Sequence, residues 1–175
     1  MPPSRTKQIY EKNYNMLSIT IICVGKLKER FYVDAANEYI KRMTRYCKPE
    51  IVEIREQRLP AEPSLAQIII ALEKEREAIL PHIPTGAFSV ALCLEGQDID
   101  SQGLSKLLSD CAGNGTSRLC FIIGSSYGLS SDLKSGADFR LSLSKMTFPH
   151  SLARVILLEQ LYRAFKIIEG GKYHK

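Results

Sequence analysis

Residues 17–24 read Leu-Ser-Ile-Thr-Ile-Ile-Cys-Val, almost all apolar, before Gly25 breaks the run. The stretch predicts a strand, because β-branched side chains pack well on a pleated surface. The spacing then becomes helical. Ala35, Tyr39, Ile40 and Met43 share one face of a helix that Asp34 would cap and that would run to about Tyr46. A short second strand is predicted over residues 51–54, and Pro60 and Pro63 mark the loop behind it. Ser64 and Gln67 have the spacing of a capping box, whose side chains satisfy the free amides of a helix start. The helix that follows is predicted to turn Leu65, Ile68, Ile69, Leu72 and Ile79 inward. Its Glu73-Lys74-Glu75-Arg76-Glu77 run would face solvent.

Residues 88–94 are nearly all apolar, as expected of a strand covered on both faces. A helix over about 104–111, a strand over 119–123, a short helix near Asp132 and a strand over 139–143 complete the middle of the chain. The last long helix is predicted to start after Pro149, whose missing amide costs nothing in a first turn, and to stop at Gly170-Gly171. Strand and helix thus alternate along the whole chain, which predicts an α/β domain with a mostly parallel sheet. Residues 1–15 are polar and without periodicity. They read as a loose leader, and residues 16–175 as a single domain.

Composition adds little to this. The chain has 175 residues, a net charge of +5 and a pI near 8.9, a lean towards anionic partners weaker than that of a dedicated nucleic-acid coat. The five cysteines are odd in number and form no C-x-x-C pair, so they read as buried thiols in a reducing compartment. With three histidines, none beside a cysteine cluster, no metal site is expected. No apolar run is long enough to span a bilayer, and a basic Lys-Leu-Lys-Glu-Arg segment stands where a signal-peptide cleavage site would be needed. A cytoplasmic protein is expected.

In parallel sheets ligands bind beyond the carboxyl ends of the strands. Three segments stand there: Glu95-Gly96-Gln97, the turn 124–128, and the link 144–150. Gly124 and Gly128 suit either a close backbone approach to a ligand or an ordinary tight turn. The link 144–150 is equally open between a binding loop and a capped helix start. His150 and Arg154 share a face of the last helix, where Arg154 could meet a phosphate or a carboxylate. Val155, Ile156, Leu157 and Leu158 make one full turn apolar on every side, which points to a subunit interface or to burial in the domain's own core. Glu159 and Arg163 read as a surface pair. The tail Lys172-Tyr173-His174-Lys175 combines a ring, an imidazole and two cations, suited to stacking on a base and meeting phosphates, or else is a frayed terminus.

Taken in order, several segments resemble the large-subunit ribosomal RNA methyltransferase H family of the SPOUT class. They are Val24-Gly25-Lys26-Leu27-Lys28-Glu29, Ile122-Ile123-Gly124 with Gly128-Leu129, and Leu143-Ser144-Lys145-Met146-Thr147-Phe148-Pro149-His150. Glu159-Gln160-Leu161-Tyr162-Arg163-Ala164-Phe165-Lys166-Ile167 and the ending Tyr173-His174-Lys175 complete the match. The resemblance implies S-adenosylmethionine bound in a deep C-terminal trefoil knot, and N3 methylation of a pseudouridine in 23S rRNA. It also implies a homodimer acting on the ribosome, with no DNA or membrane partner. Carried over by motif, the cofactor contacts would be Leu92, Gly124, Leu143, Ser144, Lys145, Met146, Thr147 and Phe148, with Gly96 a further candidate. Within that reading His174 would serve as general base, Tyr173 would orient the base, and Arg154, with His150, would anchor phosphate or order the site. Ser125 stands where the family commonly has a second glycine, which would strain the turn if positive φ were needed there. The rival readings are a SPOUT enzyme for another RNA, a ribosome assembly factor without catalysis, and a plain nucleotide-binding α/β protein.

Overall fold

A computed structural model describes residues 17–170, so the leader and residues 171–175, including Tyr173 and His174, lie outside the described residues. Ten elements alternate: β1 (Ser18–Val24), α1 (Arg30–Met43), β2 (Lys48–Ile54), α2 (Leu65–Ile79), β3 (Phe88–Asp98), α3 (Ser101–Gly113), β4 (Arg118–Ile123), α4 (Ser131–Gly136), β5 (Phe139–Ser142) and α5 (His150–Ile168). The five strands form one sheet in the order β2-β1-β4-β3-β5, with every pairing parallel.

Alternation along the strands builds two cores. Ile19, Ile21 and Cys23 point to one face and join Leu119, Phe121 and Ile123 beneath α1, α3 and α5, where Met43, Leu108, Leu157, Leu161 and Phe165 close the layer. Ile22 and Val24 point the other way and meet Cys120, Ile122, Ile79 and Leu133 beneath α2 and α4. Double coverage is why the central strands read as unbroken apolar runs. Four of the five cysteines are buried in these layers and all five are free thiols. No helix among the described residues is long and apolar enough to cross a membrane.

Several predicted details change. Helix α1 starts four residues before Asp34, with Glu29 at its N-cap and no side-chain cap. Asp34 lies inside it as the partner of Arg30 at 3.6 Å. Strand β2 reaches back to Lys48; it is an edge strand with a half-exposed polar pattern, so its first half carries no apolar signal. The capping box at Ser64 and Gln67 forms as predicted. The inward face of α2, however, is Ala71, Glu75 and Ile79, while Leu65 is 74% exposed and Ile69 and Ile70 are also exposed. One continuously apolar stretch offers two possible faces, and the helix buries the one with smaller residues.

Strand β3 continues to Asp98, beyond the predicted 94. Leu92 and Gln97 both lie opposite Leu141 of β5, so residues 93–96 leave the ladder and return to it. A Cβ on Gly96 would stand 2.6 Å from the carbonyl carbon of Leu141, so only glycine lets the two backbones approach there. Glu95, within the excursion, is held to Lys134 of α4. This excursion fastens β3 to β5 at the edge of the sheet where the candidate loops emerge.

Candidate functional site at the carboxyl edge of the sheet

Strand register decides which loops meet. Ala91 lies opposite Ile122 and Leu92 opposite Leu141, so the ends of β4, β3 and β5 stand side by side. Gly124 follows β4 directly, Leu92 ends the first part of β3, and Leu143 follows β5. The link 143–149 then leaves the far edge for α5. His150, the first residue of α5, lies against Gly25 behind β1: a Cβ on Gly25 would meet its Nε2 at 3.4 Å. The order β5-β3-β4-β1 puts three strand spacings, roughly 14 Å, between those points. The link 143–149 therefore has to cross the width of β3 and β4 to reach the start of α5. Inside the link the Met146 amide donates to Ser144 Oγ at 3.0 Å and Ser142 Oγ donates to the Ser144 carbonyl at 3.1 Å. Lys145, Met146 and Thr147 are left exposed.

The turn 124–128 is tight because of Gly124. A Cβ there would stand 2.1 Å from the Gly128 carbonyl oxygen, so any other residue would force the turn open. Gly128 adopts φ +84°, and its amide donates to the Ser125 carbonyl at 2.9 Å. Positive φ occurs only at glycines among the described residues, so Ser125 stands in this turn without strain. Its hydroxyl donates to Glu75 Oε2 at 3.0 Å, and the same carboxylate accepts the Gln57 amide at 2.9 Å. Ser126 Oγ donates to Glu56 Oε1 at 3.1 Å. Glu75 is 3% exposed, and burial holds its carboxyl above the ordinary range against the two hydrogen bonds that lower it. The sequence reading placed Glu75 on the solvent face; its position four residues from both Ala71 and Ile79 was the signal that locates it inside.

Arg154 is 2% exposed. Its Nη1 donates to Glu53 Oε1 at 2.7 Å and its Nη2 to the Gly25 carbonyl at 2.7 Å, while Nε is buried without a partner among the described residues. Of the two roles open to this residue, the geometry supports ordering of the site over a phosphate anchor: the guanidinium ties α5 to the ends of β1 and β2. Neighbouring Cys23 has its thiol pushed up to about 12, chiefly by burial, with Arg154 acting against the rise. His150 is partly buried beside Gly25, and a Cβ on that glycine would also meet Glu56 Oε2 at 3.7 Å. The apolar turn of α5 divides between the two readings. Leu157 and Leu158 are fully buried in the domain's own core, while Val155 and Ile156 are only half-buried. Glu159 and Arg163 pair along the helix.

A parallel sheet covered by helices on both faces, with these loops at its carboxyl edge, can be set beside known proteins. A family model described as "Predicted SPOUT methyltransferase" matches residues 17–174, and the chain belongs to the SPOUT methyltransferase family. Within it the kinship is with the ribosomal RNA large subunit methyltransferase H group. The protein of that name from Clostridium botulinum (strain Kyoto / Type A2) is 48% identical over 159 residues, which cover 91% of this chain and 100% of the relative. A solved structure described as a probable methyltransferase from Bordetella pertussis Tohama I has a TM-score of 0.57 at 15% identity, covering 92% of this chain and 99% of that one. A probable methylase family protein from Haemophilus influenzae Rd KW20 has a TM-score of 0.54 at 12% identity, covering 91% and 71%. At such identities the two structures speak to the fold alone.

Proposed function

We propose that the protein is a homodimeric S-adenosylmethionine-dependent methyltransferase that methylates N3 of a pseudouridine in 23S rRNA of the large ribosomal subunit. The observation that carries the cofactor assignment is the convergence of the β4 turn, the end of β3 and the traversing link on one stretch of sheet edge. Half-buried Leu92 and Leu143 offer apolar walls for an adenine, and the link and the turn offer backbone groups to its polar rim. Leu92, Gly124, Leu143, Ser144, Lys145, Met146, Thr147 and Phe148 would hold the cofactor. When bound, it supplies an electrophilic methyl group on a sulfonium. The RNA target rests on the kinship with proteins named ribosomal RNA large subunit methyltransferase H. A deep C-terminal trefoil knot, which the family resemblance implies, is part of this proposal.

The chain's part in the reaction is alignment and proton handling. The acceptor N3 carries a proton that has to leave, and the His174 imidazole is the group suited to take it near neutral pH, with Tyr173 stacking on the base. Arg154 orders the site from behind and touches neither reactant.

The course of α5 supports a shared site. Its first residue stands at the carboxyl edge, but its end returns to the amino edge, where Tyr46, just ahead of β2, stacks on Phe165 at 5.6 Å and donates to Glu169. Nineteen residues of helix are about 28 Å long. Helix α5 thus ends about a helix length from the loops of its own subunit, which favours a tail that acts elsewhere. It can serve a partner. Leu152, Val155 and Ile156 form an incompletely buried stripe on α5, continued by the Glu159–Arg163 pair, that suits contact with a second copy.

Mixed dimers test this directly. A subunit lacking residues 173–175 should bind cofactor yet be inactive, and a Gly124→Ala subunit should keep its tail yet lose cofactor. Each homodimer should show under a few per cent of normal methyl transfer, while co-expressed mixed dimers should recover a substantial part of one site's activity. Failure of mixed dimers to recover any activity would contradict a tail acting across the interface.

A further inference from the structure

Helix α2 meets the sheet through few residues, and three of its large apolar side chains, Leu65, Ile69 and Ile70, face outward. Its one buried charged group, Glu75, reaches two loops at once. One carboxylate oxygen accepts from Ser125 in the β4 turn and the other from the Gln57 amide behind β2. A second link runs beside it from Ser126 to Glu56. A buried carboxylate with both oxygens engaged costs more desolvation than an apolar residue in the same place, so its presence calls for a reason beyond packing.

We propose that Glu75 is a positioning residue for cofactor binding: it clamps the turn 124–128 to the segment behind β2, so that the glycine turn is already in its binding shape before the cofactor arrives. The inference rests on the assignment of that turn to S-adenosylmethionine. The clamp works because Gly124 and Gly128 leave the turn little stiffness of its own beyond one internal hydrogen bond, from the Gly128 amide to the Ser125 carbonyl. Ser125 supplies what a second glycine could not, a hydroxyl that anchors the turn from outside. Preorganising a loop in its bound shape raises affinity by removing the entropy cost of ordering it on binding. Ser125 here takes the place of a turn glycine without positive φ, and Glu75 is the partner that gives the exchange a use.

Calorimetric titration with S-adenosylmethionine, together with steady-state methyl transfer, tests the clamp. Glu75→Ala should weaken cofactor binding by about tenfold or more, the loss expected when charged hydrogen bonds to a mobile loop go. Ser125→Ala should weaken it by a few-fold, and the double variant should be no worse than Glu75→Ala alone, because both changes cut the same link. The KM for cofactor should rise while kcat changes little. Glu75→Gln, whose amide oxygen still accepts a hydrogen bond, should recover most of the loss. Folded Glu75→Ala protein with unchanged affinity, or additive effects in the double variant, would overturn the clamp while leaving the cofactor assignment intact. If Glu75→Ala does not fold, Ser125→Ala decides alone, and unchanged affinity there overturns it. No binding by the unaltered protein overturns the cofactor assignment and the clamp with it.

Discussion

Glu75 and Arg154 are the two buried charged side chains on which the inner architecture of the sheet edge turns, and they are partnered differently. Arg154 meets the Glu53 carboxylate and the Gly25 carbonyl through its two Nη groups. Among the described residues no cation stands against Glu75; burial and the nearby Glu56 raise its pKa, and the two hydrogen bonds oppose the rise. A carboxyl whose folded pKa lies above its unfolded one stabilises the protein below the unfolded value and loses that contribution as pH rises through the folded one. The difference in unfolding free energy between Glu75→Gln and the unaltered protein should therefore shift in favour of glutamine as pH rises from about 4.5, then level off. Denaturant midpoints across that range check it, and a difference independent of pH would contradict it. The sequence alone did not reveal this residue. An alternating run of charges looks like a solvated face, and the buried spacing of Ala71, Glu75 and Ile79 was outvoted by five larger apolar residues nearby.

At the scale of elements, what was legible followed periodicity. The strands covered on both faces, the capping box of α2 and the stop of α5 at Gly170 were all readable, because each is a local pattern with a local cause. What could not be read depended on neighbours. The first half of β2 pairs only along one side, and the end of β3 rejoins β5 after an excursion that has no apolar signature. Gly96 shows the limit well. In the sequence it is a loop glycine and a candidate cofactor contact; in the fold its bare Cα is what lets β3 pass against the β5 backbone. Because the obstructing atoms are backbone, Gly96→Ala should destabilise by about 2–3 kcal/mol, the usual range for overpacking a site that cannot relax. Chemical denaturation measures this, and a loss below about 0.5 kcal/mol would mean that the two strands separate easily there.

At the scale of the whole molecule the parallel sheet was foreseeable from strand–helix alternation, but the traversing link was not. It follows from strand order, and local pattern says nothing about which strand sits at an edge. The same order explains why the strand ends next to Leu92, Gly124 and Leu143 stand side by side. It also explains why the ends of α5 lie at opposite edges, which is the ground for proposing that the tail acts in another subunit. Kinship points to the chemistry, and topology supports the proposal that two copies share a site.

The central claim is methyl transfer to ribosomal RNA, and the most direct test is transfer of a labelled methyl group from S-adenosylmethionine to ribosomes from cells lacking the modification, with the labelled nucleotide mapped. Label is expected at N3 of a pseudouridine in the large-subunit RNA, and should be lost when residues 173–175 are removed. Label on a different RNA, or none despite bound cofactor, would contradict the assigned target; no label and no cofactor binding would favour an assembly factor that uses the same fold without catalysis.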